Sequence, residues 1–142
     1  MKEDKLVIER TYNAPIEKVW AALTETKKMQ QWYFPMMASF EPKVGFETQF
    51  DVAHNGNVYP HVWKVTEAIP LQKIAYSWKY AGYPGNSIVS FELESVKNQT
   101  KLTLTHRFTE SFESDKFVDF SKENFNAGWT SFAQRLQHFV ES

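Results

Sequence analysis

The 142-residue chain sets 16 Lys and Arg against 17 Asp and Glu, a net charge of -1, and its longest basic cluster is Lys27-Lys28. That balance lacks the basic surplus on which nucleic-acid binding depends, so no nucleic-acid partner is expected. There is no cysteine, which removes disulfides, thiolate metal sites and thiol nucleophiles, while 12 Phe, 6 Tyr and 5 Trp suit either a rich core or a small-molecule pocket.

A chain of this length is most simply one domain, residues 1–142, able to bury roughly two-thirds of its unfolded surface. Met1 to Arg10 offers no signal-peptide core, and no apolar run approaches the roughly 20 residues of a membrane helix. A cytoplasmic protein without a membrane partner is the expectation.

In chain order, residues 5–12, KLVIERTY, read as a short β-branched strand that stops at Asn13-Ala14-Pro15. Proline suits a first helical turn, and Ile16, Val19, Trp20 and Leu23 follow at i, i+3, i+4 and i+7, so a helix is predicted there. A second short helix is predicted from Glu25 toward Trp32, capped by Thr24 or Thr26 and ended by Pro35. From Met36 to Phe108 the period changes from 3.6 to 2. Phe46 to Val52 alternates, and Asn55-Gly56 is a hairpin signal, because both central residues of a type I′ turn need positive φ. Further strands follow at Val58–Ala68, around Ile74–Tyr80, around Val89–Leu93 and around Leu102–Phe108.

Short turns between successive strands make the sheet antiparallel with one buried face. Thr109 to Lys122 is polar with isolated phenylalanines and reads as a solvated loop with one helical turn around Phe117. The closing segment 123–141 sets Phe125, Trp129, Phe132, Leu136, Phe139 and Val140 on one helical face. Pairing that stripe with the sheet gives an α+β layer arrangement. Gly128 lies on the margin of the same face, although a helical glycine costs about 1 kcal/mol relative to alanine. Close packing against a strand or loop is the simpler reason for it, and room at a ligand cavity is the alternative.

Three stretches carry a resemblance: IERTYNAPIEKVWAALTETKKMQQWYFP, GNVYPHVWKVTEAIPLQKIAYSWKY, and TKLTLTHRF followed by NAGWTSFAQRLQHFV. They resemble the START-like (SRPBCC) superfamily, in the branch of the C-terminal domain of the activator of heat shock protein 90 ATPase. The resemblance spans Leu6 to Val140. It implies a helix-grip fold: a strand, two short helices, a six-stranded meander and a long C-terminal helix, with a cavity between sheet and helix. The chain looks like that domain alone, without the N-terminal domain of the eukaryotic activators.

Nothing in the sequence assembles a catalytic or metal motif: there is no G-x-S-x-G elbow and no glycine-rich phosphate loop. His54, His61, His106 and His138 are scattered without ligand spacing, so neither metal nor cofactor is expected. His54 and His138 read as solvated. His106 shares a strand face with Leu102, Leu104 and Phe108 and should point inward, as a satisfied core histidine or as a polar anchor in an apolar pocket. His61, on a face with Tyr59, Trp63 and Val65, is a second candidate anchor.

Trp32, Tyr33 and Phe34 form an unbroken triplet, and one helical stripe cannot bury all three, so one should face elsewhere, as a gate or a core cap. Tyr76, Trp78, Phe91 and Trp129 are candidate cavity walls, with Phe132 beside them on the helix. The leading function is binding of a small apolar or aromatic molecule. The resemblance implies an alternative, an interaction module acting on a chaperone ATPase. A cyclase- or dehydratase-type enzyme, with His106 or a tyrosine moving a proton, is a third reading.

Overall fold

The computed structural model describes residues 4–142. Strand β1 (Asp4–Tyr12) leads through Pro15 into helices α1 (Ile16–Thr24) and α2 (Thr26–Trp32). Strands β2 (Glu47–His54), β3 (Asn57–Ile69), β4 (Lys73–Tyr80), β5 (Asn86–Val96) and β6 (Gln99–Glu110) follow. A 3-10 turn (Val118–Phe120) then precedes helix α3 (Lys122–Glu141). All neighbouring strands are antiparallel, in the order β1-β6-β5-β4-β3-β2, and α3 covers one face: a helix-grip α+β fold. The meander after the helices holds five strands rather than six, because residues 36–46 form none and β1 completes the sheet.

Local chemistry accounts for most boundaries. Asn55 and Gly56 take φ of 50° and 81°, the pair of positive values a type I′ turn requires. Register shifts between Val65 and Glu67 on β3, and between Asn86 and Ser87 on β5, mark the bulges that let the sheet bend. Ser121 caps α3 by accepting the Asn124 N–H at 3.2 Å.

The predicted cap of α2 is corrected. Glu25 is the N-cap residue and its side chain makes no cap bond. The Thr24 hydroxyl instead donates to the Trp20 carbonyl at 2.8 Å, and Thr26 Oγ1 accepts the Phe40 N–H at 2.9 Å. Both hydroxyls are already committed elsewhere.

The stretch after β6 is also less solvated than its polarity implies. Phe112 and Phe120 are buried, and each stacks or packs edge-on against Tyr80. Two isolated phenylalanines thus hold the segment down. Gly85 makes room for one of them: its φ is +105°, and a Cβ there would stand 2.5 Å from the Phe112 ring and 2.8 Å from Phe112 Cα. Because backbone is among the clashing atoms, Gly85→Ala should cost about 1–3 kcal/mol in overpacking, with backbone strain added. A lowered urea midpoint at constant slope is expected. An unchanged midpoint would show that Phe112 is not held there.

Candidate binding cleft

Alternation on β3–β6 sends one file of side chains inward from each strand. Tyr59, His61, Trp63 and Val65 come from β3, and Tyr76, Trp78 and Tyr80 from β4. Ser87, Val89 and Phe91 come from β5, and Leu102, Leu104 and His106 from β6. Helix α3 faces them with Phe125, Trp129, Phe132 and Leu136, but it does not lie evenly across the sheet. It packs on β1, α1 and α2. The Tyr12 hydroxyl donates to the Ala133 carbonyl at 3.0 Å, drawing the helix to the β1 side.

Where α3 diverges from β2–β4, a cleft of about 400 Å³ remains. Val52 and His54 of β2, Tyr59 and His61 of β3, and Trp78 and Tyr80 of β4 form its sheet wall. Asn124, Phe125, Ala127, Gly128, Trp129 and Phe132 line it from α3, and Phe34, Asp119 and Phe120 close its ends. Asn124, Ala127 and Gly128 are exposed, so the cleft reaches solvent along one turn of α3.

His106 lies beneath this cleft and does not line it. It is fully buried, and the Trp129 indole N–H donates to its Nδ1 at 2.8 Å. An indole nitrogen only donates, so Nδ1 is the acceptor and Nε2 carries the ring proton. Nε2–H donates to Ser87 Oγ at 2.8 Å, and the Ser87 hydroxyl donates onward to the Trp78 carbonyl at 2.9 Å. Both ring nitrogens are satisfied, and burial lowers the His106 pKa to about 3.

His61 differs in one atom. Its Nδ1 lies 2.9 Å from the Tyr59 carbonyl, which can only accept, so the proton is on Nδ1. Nε2 is then a bare acceptor with no protein partner among the described residues. Burial lowers the His61 pKa to about 4, against the backbone bond, which favours the charged form.

At the mouth, Asp119 Oδ2 accepts the Tyr59 hydroxyl at 2.6 Å and Oδ1 accepts Asn55 Nδ2 at 2.8 Å. His54 Nε2 lies 3.8 Å from Oδ1. The bonds from Tyr59 and then Asn55 hold the Asp119 carboxyl below its ordinary value. Burial, then the carboxylate, push the Tyr59 hydroxyl up to about 12. These contacts clasp the β2–β3 hairpin to the 3-10 turn.

Of the residues singled out from sequence, His61, Trp78, Gly128, Trp129 and Phe132 line the cleft. Trp32, Tyr33, Trp63, Tyr76, Phe91 and His106 are packed in the core beside it. Trp32 Nε1 donates to the Ala22 carbonyl at 2.7 Å, and the Tyr33 and Tyr76 hydroxyls meet at 2.7 Å. Trp63 stacks on Tyr76 at 4.4 Å, and its Nε1 has no partner among the described residues. The expectation that one residue of the Trp32-Tyr33-Phe34 triplet faces elsewhere, as a gate or a core cap, is corrected only as to exposure: all three are buried. The helix stops at Trp32, and the non-helical backbone of Tyr33 turns Phe34 inward as well.

Close packing at Gly128 is likewise corrected, since a Cβ there meets nothing within 4 Å. Sequence reasoning missed Phe34, Tyr80 and Asp119 as lining residues. Tyr80 continues the Tyr76/Trp78 alternation and was findable. Asp119, in a polar stretch, carried no signal.

A curved antiparallel sheet gripping a C-terminal helix over an aromatic cleft defines a START-like helix-grip protein. Residues 13–141 match the family model described as Activator of Hsp90 ATPase homolog 1-like protein, and the chain belongs to that family. Protein CV1439 from Chromobacterium violaceum has the same fold: 19% identity, 97% of each chain covered, TM-score 0.81. The chain is also similar to the Aha1 dimer structure from Colwellia psychrerythraea, at 25% identity over 97% of this chain and 96% of that one, TM-score 0.73. CalU16 from Micromonospora echinospora is 25% identical over 97% of this chain and 76% of that one, TM-score 0.66. No curated protein matches the sequence significantly. Among the described residues no helix is long and apolar enough to cross a membrane.

The two buried histidines make a pH prediction. Both fold neutral, with pKa values of about 4 and about 3, whereas an unfolded histidine titrates near 6.5. Between those limits the unfolded chain binds more protons, so stability falls as pH drops below about 6.5. Each histidine adds a slope of up to about 1.4 kcal/mol per pH unit. The urea midpoint should therefore decline from pH 7 to pH 4.5, and His61→Phe should reduce the decline. A flat midpoint over that range would contradict the buried neutral state of both rings.

Proposed function

We propose that this chain binds a small apolar or aromatic molecule in the cleft between the sheet and α3. The observation that carries the reading is the aromatic cleft of about 400 Å³, opened to solvent at the helix position that has no side chain. That volume is within the usual range of ligand sites. Phe34, Trp78, Phe120, Trp129 and Phe132 supply apolar surface. Burial against such surface contributes roughly 25 cal/mol per Å² of apolar area removed from water.

The family description supports a ligand-binding or Aha1-like module in general. An interaction module acting on a chaperone ATPase predicts a filled interior, and the cleft favours a small molecule instead. The enzyme reading takes His106 or a tyrosine to move a proton. His106 does not serve it, since both its ring nitrogens are bonded and it has no carboxylate partner among the described residues.

Gly128→Leu tests the proposal. The added side chain meets open space, so stability should hold or rise by up to about 0.8 kcal/mol through helix propensity. Binding of N-phenyl-1-naphthylamine, a neutral fluorescent probe, should weaken markedly because leucine fills the mouth. Undiminished probe binding by a stable variant would sink the proposal.

A further inference from the structure

The cleft is apolar but not uniformly so, and its polar atoms have a definite donor and acceptor pattern. His61 and Tyr80 are register partners on β3 and β4, with ring centroids 4.7 Å apart, and both line the cleft. His61 Nδ1 is bound to the Tyr59 carbonyl, so Nε2 can only accept. The Tyr80 oxygen already accepts the Trp78 indole N–H at 2.9 Å, and its own proton has no protein acceptor among the described residues. One bare acceptor therefore stands beside one uncommitted donor. Burial keeps both groups neutral at pH 7, lowering the histidine and raising the tyrosine.

The charges around the cleft narrow the class further. Among the described residues no lysine or arginine lines it, and Arg135 instead stands 5.6 Å above the outer Phe132 ring. The carboxylate that does line it, Asp119, is bonded by Tyr59 and Asn55 at the mouth. A ligand carboxylate would lose its water without gaining a cation, and it would meet a like charge on entry. A hydroxyl, in contrast, gives one proton and accepts one.

From the ligand-binding reading of the cleft, on which this rests, we infer that the site selects neutral aromatic molecules bearing a hydroxyl, which donates to His61 Nε2 and accepts from Tyr80. An unsubstituted hydrocarbon leaves both protein groups unpaired. An acid of the same ring system is rejected.

Titration calorimetry of the intact chain at pH 7 with naphthalene, 2-naphthol and 2-naphthoate tests this. Two added neutral hydrogen bonds make 2-naphthol bind roughly tenfold more tightly than naphthalene, with 2-naphthoate the weakest. In Tyr80→Phe the naphthol-to-naphthalene ratio falls to about threefold or less. Because a ratio is read, any general loosening of the cleft cancels. Equal affinity for naphthol and naphthalene, or tightest binding of naphthoate, overturns the inference and leaves the apolar cleft standing. Absence of binding by all three at millimolar concentration overturns the ligand-binding reading as well.

Discussion

The buried chain of bonds from Trp129 through His106 and Ser87 to the Trp78 carbonyl determines where α3 can lie. It joins the helix to β6, β6 to β5 and β5 to β4, using one proton per link and leaving no ring nitrogen unpaired. Such a network is stabilising only when complete, because each abandoned partner costs about 1–3 kcal/mol in an apolar setting. The Tyr12 bond to Ala133 adds a second fixed point one helical turn further on. With α3 held at Trp129 and Ala133, its N-terminal half cannot settle onto β2 and β3. The cleft is the space this constraint leaves over.

Two consequences follow for the site. Its floor is rigid, since Trp78 and Trp129 belong both to the cleft and to the bonded chain. Its mouth is closed on one side by the hairpin clasp at Asp119 and left bare on the other at Gly128. Glycine in an exposed helical turn is unfavourable by propensity alone. Here neither packing nor backbone conformation demands it, since a Cβ would fit and no positive φ occurs at this position. Access to the cleft is the reason we propose for it.

The fold was largely legible because its signals are local. Alternating residues mark every strand from β2 to β6, and Asn55-Gly56 marks a turn whose φ values demand those residue types. The cleft was legible only in part. Period-2 alternation says that Trp63, Tyr76, Phe91 and His106 face inward, and they do. It cannot say how far a covering helix stands from each strand. That distance depends on long-range bonds such as Trp129 to His106, between residues 23 apart, and Tyr12 to Ala133, between residues 121 apart. Asp119 was invisible for a similar reason: its partners Tyr59 and Asn55 are about 60 residues away.

The most direct test of this account is a nuclear magnetic resonance titration of isotopically labelled protein with a neutral aromatic probe such as N-phenyl-1-naphthylamine. The account predicts that the largest shifts fall at His61, Tyr80, Asn124 and Gly128, around the cleft. Resonances of Leu102 and Leu104, packed in the sheet core away from it, should barely move. Saturable shifts elsewhere with a silent Gly128, or no shifts at any residue, would contradict it.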